Sequence, residues 1–153
     1  MKKSPSTDST TSSVGDPAKA RRCERFHITL PNESPITAKL CRLRKSKSYN
    51  GYGSVLRYHQ HLHIIEEVEV SSPSYRAGLR ANDVVIFVGK TNVERMTHED
   101  IKTMIRAMAL SSHHVELIVL AKTDLPRYRT LRERDSIDWS VMGLERSFVS
   151  LSK

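Results

Sequence analysis

Polar and apolar residues alternate through Ala38-Lys39-Leu40-Cys41-Arg42-Leu43-Arg44, the period-two pattern of a strand with one buried face. Ser54 to Tyr58 repeats the pattern. His63 to Val70 reads as a third strand, with Ile64, Ile65, Val68 and Val70 apolar and acidic residues on the wet side. Val84-Val85-Ile86-Phe87-Val88 has no polar member, which places it at the centre of a sheet with both faces covered. Gly89-Lys90 after it has the glycine-first chemistry of a type II′ hairpin turn, and Val115 to Leu120 is the last strand. Two helices interrupt the strands. Ser72-Pro73 to Gly78 carries a capping serine, a proline at the first helical position and a glycine stop, which describes one short turn. Thr97 caps a longer helix from His98 to about Met108, in which Ile101, Met104, Ile105 and Met108 share a face. Runs of strands broken by only two helices predict a small α+β sandwich rather than a doubly wound parallel sheet.

The chain has 153 residues, enough for one core. Ser4 to Ser13 is almost entirely hydroxyl-bearing, with nothing to bury against the entropy of ordering it. Residues 1–35 are therefore expected to be a disordered tail, open to phosphorylation, although Cys23 to Leu30 regains some hydrophobicity. Residues 36–122 are the expected domain and 123–153 a basic tail. In that tail Ile137, Val141, Leu144, Phe148 and Leu151 step by four, three, four and three, the stripe of an amphipathic helix over about 136–151 that must dock on this domain or on a partner to be stable.

Charge changes the picture less than its size suggests. Lys+Arg 25 against Asp+Glu 17 gives a net charge of +8, but the surplus is spread over tails and centre, which argues against a nucleic-acid surface. No run of ~18 apolar residues exists for a membrane helix, and the start of the chain has no apolar stretch like that of a signal peptide. The expected setting is cytoplasmic, with Cys23 and Cys41 as reduced thiols. No nucleophile and base with an orienting third group is evident, so catalysis is not expected, and neither is a cofactor. His59, His61 and His63 alternate as metal ligands on a strand can, but no carboxylate or thiol completes a set; they are read as a solvated hairpin, and no metal site is assigned.

The informative constellation is Asn50-Gly51-Tyr52-Gly53-Ser54-Val55-Leu56 together with His98. A glycine-rich turn presents successive N–H groups that cradle an oxyanion. This one lacks the Lys-Ser/Thr of a P-loop and opens a strand, so a peptide adding itself as a further strand, with its carboxylate in the nest, fits better than a nucleotide.

Over residues 38–122 the chain resembles PDZ domains. The motifs are Gly51-Tyr52-Gly53, then Ser72-Pro73 to Ala77-Gly78-Leu79-Arg80 with Asp83, then Thr97-His98-Glu99-Asp100. Within that family Leu40-Cys41-Arg42-Leu43, Asn50-Gly51-Tyr52-Gly53 and Asn92-Val93-Glu94 are most similar to NHERF-type (sodium/hydrogen exchanger regulatory factor) scaffolds. The resemblance implies a partly open antiparallel β-sandwich of five to six strands with two helices, flanked by flexible tails. It implies a non-enzymatic adaptor whose groove, between the second strand and the second helix, binds partner C-termini of class I, Ser/Thr-X-apolar-COOH. Tyr52, Gly53 and Ser54 would hold the carboxylate through their N–H groups, assisted by Lys45 or Lys47. Leu56 and Ile105 would line the terminal pocket, Val55 and Lys102 would flank the peptide, and His98 would bond the Ser/Thr hydroxyl. Asn50 and Glu69 would select a basic penultimate residue. The implied partners are tails of membrane receptors, channels or transporters at the inner face of the plasma membrane, bound by a monomer with at most weak acidic-lipid contact. The alternative is a degenerate groove with basic surfaces that bind acidic membrane or nucleic acid.

Three positions depart from the family pattern. Ser54 stands where a large apolar residue is usual, which removes apolar lining or makes room for a larger terminal residue. Asn82 replaces a glycine before Asp83, and Gly89-Lys90 replaces an Asn-Gly turn.

Overall fold

The computed structural model describes residues 22–30, 32–134 and 137. Along the chain it contains β1 (Cys23–Leu30), β2 (Glu33–Arg44), β3 (Ser54–His59), β4 (Leu62–Val68), α1 (Pro73–Arg76), β5 (Asp83–Val88), β6 (Thr91–Asn92), α2 (His98–Ser112), β7 (His114–Ala121), a 3-10 turn over Lys122–Asp124, and α3 (Leu125–Glu133). The strands pair in the order β1-β2-β7-β5-β4-β3, with β6 on β5, and every pairing is antiparallel. The apolar run predicted to be central is β5: all six residues are buried, between β7 and β4. β3 is left at the sheet's edge.

Local signals act as expected where the chemistry is local. Ser72 Oγ accepts from the Tyr75 N–H at 3.1 Å at the start of α1. Thr97 Oγ1 accepts from the Asp100 N–H at 3.1 Å at the start of α2. That helix runs on to Ser112, four residues beyond the expected stop, because no breaker occurs before His113, whose φ of 62° ends it. Gly89 has φ 61° with no positive φ at Lys90, as a II′ turn requires, and Asn82 takes the left-handed conformation at φ 74°.

Both margins of the expected domain move outward. Residues 23–30, assigned to the N-terminal tail, form a strand in register with β2, and β2 itself begins at Glu33. Pro35 is tolerated there because the register slips between Ile28 and Leu30, where ladder bonds are interrupted. β1 and β6 bring the count to seven strands rather than five to six. At the other end, residues 125–133 of the expected tail form α3. The helix predicted over about 136–151 lies outside the described residues except for Ile137, which is buried.

α3 explains why β2 is not half-buried as its alternation predicted. Leu125, Tyr128 and Ile137 pack with Ile28, Ile36, Ala38, Leu40 and Phe87 on one face of the sheet, while Cys41, Leu43 and Val85 pack with Ile101 and Leu79 on the other. The polar members of β2 are neutralised in place. Lys39 Nζ lies 2.9 Å from Asp83 Oδ2 and donates to the Gly78 carbonyl at 2.7 Å. Arg42 pairs with Glu24 of β1 and, at 3.0 Å, with Glu116 of β7. α3 is anchored in turn: Tyr128 Oη donates to Glu94 Oε1 at 3.0 Å, and Arg132 Nη1 lies 2.6 Å from Glu94 Oε2.

If α3 belongs to the folded unit, Tyr128→Ala should cost about 3–5 kcal/mol of stability in urea unfolding. Tyr128→Phe, which removes the hydroxyl and its bonds to Glu94 and Asn92, should cost about 1–2 kcal/mol. Two effects within ~0.5 kcal/mol of zero would mean that the helix is not part of the cooperative unit.

Candidate functional site

Gly51 and Gly53 have φ of 81° and 80°, a conformation that side chains rarely adopt. At Gly53 space is also decisive: a Cβ there would stand 2.2 Å from Ser72 Cβ. The carbonyl of Tyr52 accepts from the Ser74 N–H at 2.9 Å, and that of Gly53 from the Glu69 N–H at 2.8 Å. In a trans peptide the N–H of the next residue points opposite to the carbonyl. The N–H groups of Gly53 and Ser54 are therefore turned away from these partners, at the point where the chain enters the edge strand β3.

Beside this loop lies a cavity of about 260 Å³ between β3 and α2. Ser54 and Leu56 of β3 face Lys102, Ile105 and Arg106 of α2 across it, and Leu43, Ile65, Val85, Val115 and Leu117 form its floor. The floor is the core itself. Ser54 Oγ accepts from Ser74 Oγ at 2.8 Å, so the hydroxyl is satisfied without a ligand. Tyr52 also lines the cavity, and its buried hydroxyl has no partner among the described residues; burial pushes its pKa up from the ordinary phenol value.

His98 opens α2, half-buried, its ring 6.5 Å from that of Tyr58 on β3. Its Nδ1 is buried and has no partner among the described residues. Behind it His63 is buried on β4, its Nε2 3.0 Å from the Met96 carbonyl and its ring 4.8 Å from that of Tyr58. Burial lowers the His63 pKa, and the nearby His98 lowers it further. His59 and His61 stay exposed, with Gln60 and His61 both at positive φ in the hairpin turn, so the three alternating histidines do not converge. Among the described residues no three His, Cys, Asp or Glu side chains could hold a metal ion together.

Residues 43–120 match the PDZ domain family. The chain belongs to that family. It is also 35% identical over 79 residues to the Na(+)/H(+) exchange regulatory cofactor NHE-RF1 of Gallus gallus, an alignment covering 50% of this chain and 23% of that protein. The chain thus aligns with less than a quarter of its relative's length.

In this PDZ domain Tyr52, Ser54, Leu56, Lys102 and Ile105 line one cavity, Gly53 lies between two of these lining residues in sequence, and His98, the first residue of α2, is not part of the lining. Val55 points outward and is exposed. Asn50 is exposed in the loop, and the Glu69 carboxylate accepts a hydrogen bond from the Tyr49 hydroxyl. Lys45 and Lys47 do not line the cavity; Lys45 belongs to a separate basic pocket with Arg22, Arg44 and Arg76. Arg106 went unnoticed in the sequence, although its spacing from Lys102 puts it on the same helical face. The floor residues carried no signal beyond being core.

A histidine whose folded pKa is depressed binds its proton more readily in the unfolded chain. Stability from the neutral His63 is therefore complete above the unfolded pKa near ~6.5 and is lost as pH falls below it. The wild type should lose more stability between about pH 7 and pH 5 than His63→Gln does, measured by urea midpoints at each pH. Equal slopes would show that His63 is free to charge in the fold.

Proposed function

We propose that this chain is a non-catalytic adaptor that binds the C-terminal peptides of other proteins. The peptide adds as an antiparallel strand to the open edge of β3, and its carboxylate meets the N–H groups of Tyr52, Gly53 and Ser54. The observation that carries this reading is the cavity at the end of that edge, apolar in its floor and placed next to the outward-turned N–H groups. Lys102 and Arg106, rather than Lys45 and Lys47, supply the nearest positive charge. His98 takes the hydroxyl of a Ser or Thr two residues before the end; its unpartnered Nδ1 and its position across from β3 support that role. Glu69, with Asn50 beside it, favours a basic penultimate residue. Because Ser54 leaves the floor uncovered, the terminal side chain is large: Leu, Met or Phe in preference to Val. Partners of this kind, tails of receptors, channels or transporters, would place the protein at the inner face of the plasma membrane.

A second reading has one observation of its own. The pocket lined by Arg22, Arg44, Lys45, Ser46, Pro73 and Arg76 brings four cationic side chains together, which suits weak contact with acidic lipid headgroups. Sedimentation with anionic vesicles should then fall steeply with added salt, and a Lys45→Glu, Arg76→Glu pair should abolish it.

Calorimetry decides the main reading. A peptide ending in Thr-X-Leu should bind, and the same peptide amidated at its end should bind at least ~10-fold more weakly, since a charge-assisted set of hydrogen bonds is lost; equal binding removes the carboxylate site. His98→Ala should weaken Thr-X-Leu more than Ala-X-Leu. Ser54→Phe should shift the preference from terminal Phe toward terminal Val by filling the cavity, and an unchanged order of terminal residues would remove the size argument.

A further inference from the structure

β1 and β2 bring the chain's two cysteines together. Cys23 stands opposite Cys41 in the register. Immediately beyond them the Arg42 N–H donates to the Arg22 carbonyl at 2.7 Å, which makes Arg22 and Arg42 a hydrogen-bonded pair of the ladder. The alternation of an antiparallel ladder then makes Cys23 and Cys41 a non-hydrogen-bonded pair, the kind in which Cα atoms lie about 4.5 Å apart and facing side chains approach most closely. That separation is within the ~4.4–6.8 Å that a disulfide spans.

Gly78 locates the sulfurs independently. A Cβ built on Gly78 would stand 2.6 Å from Cys23 Sγ and 3.9 Å from Cys41 Sγ, so a single point behind α1 is within contact of both. Both thiols are free, Cys41 fully buried and Cys23 partly exposed. Burial first, and then the adjoining Cys23, pushes the Cys41 thiol up to about 12, so Cys41 is not the sulfur that meets an oxidant from solution.

We propose that Cys23 and Cys41 form an oxidation site that a hydroperoxide closes into an intrachain disulfide, clasping β1 to β2. The Cys23 thiolate attacks a peroxide oxygen; the O–O bond breaks, Cys23 becomes a sulfenic acid, and the leaving oxygen departs as water or an alcohol with the proton that Cys23 released. The Cys41 sulfur then attacks the sulfenic sulfur. The S–S bond forms as the S–O bond breaks, and the departing hydroxide takes the Cys41 proton as water. The two sulfurs lose two electrons and the peroxide gains them. Among the described residues β1 pairs with β2 alone, so its opening is the local event that the clasp suppresses.

The test uses the full chain, reduced and then treated with hydrogen peroxide. Intact mass, alkylation of remaining thiols and a proteolytic map are the readouts. Expected are the loss of two hydrogens in mass, no alkylatable thiol, a linked pair of peptides containing Cys23 and Cys41, and full reversal by dithiothreitol. The oxidised protein should melt about 5–10 °C higher than the reduced one, because the link shortens the unfolded chain. Cys23→Ser, a change at a partly exposed sulfur, should abolish the link and the shift in Tm. Gain of one or more oxygen atoms at Cys23 with Cys41 still a thiol would overturn the proposal, as would a link found only between two chains.

Discussion

The groove depends on a contact too close for any side chain. Gly53 lies against Ser72, the residue that caps α1, and its left-handed backbone lets two successive carbonyls turn inward, one to the Ser74 N–H and one to the Glu69 N–H. Everything the loop offers to a ligand follows from those two bonds, since each trans peptide sends the next N–H the opposite way. α1, only four residues long, is thus the abutment of the loop rather than a connector. The Ser74 hydroxyl adds a third tie by donating to Ser54 Oγ at 2.8 Å. The loop, α1 and the start of β3 hold one another in place.

Most of this was legible where the determinant was local. Caps such as Thr97 and Ser72, the left-handed Asn82, the glycine of the II′ turn and the fully apolar β5 each announce themselves within a few residues. The glycine loop and His98 were legible through their family motif, and the pocket residues Leu56, Lys102 and Ile105 came with it. What was not legible is tertiary. β1 reads as a weak strand because only Phe26 and Ile28 among its described apolar side chains face the cluster under α3, and its partner is known only once β2 is placed. Four of the nine residues of α3 are charged and its apolar positions are few, so that Leu125 and Tyr128 do not stand out until a sheet face is available to them. Lys45 stands only six residues before Gly51, yet its chain direction takes it to the basic pocket, which sequence distance does not reveal.

Covering the second face of the sheet has an electrostatic consequence. Lys39 and Arg42 point to opposite faces of β2, and both are largely buried once each face has its cover; each is met by carboxylates: Asp83 for Lys39, Glu24 and Glu116 for Arg42. Burying charge without such partners costs more than the packing around it returns. Two of these three carboxylates sit on the neighbouring strands β1 and β7, so the ion pairs specify strand order as well as offset desolvation. The same logic fixes α3, where Glu94 receives Arg132, Tyr128 and Asn92 together.

In the proposed function Ser54 is the residue at which stability and binding separate. A hydroxyl facing an apolar cavity is costly if unpaired, but here Ser74 supplies its partner, so the polar residue is accommodated without a ligand. The cost is displaced to the cavity, about 260 Å³ open to solvent past the stems of Lys102 and Arg106. Water in that space finds an apolar floor of Leu43, Val85, Val115 and Leu117 and few groups to bond. An apolar side chain that replaces the water gains about 25 cal/mol for each Å² it removes from solvent, whereas a small one leaves part of the floor wet. On the proposed reading, the free energy that an aromatic at position 54 would contribute to the empty fold is instead released when a ligand arrives, and it grows with the size of the side chain that the ligand brings.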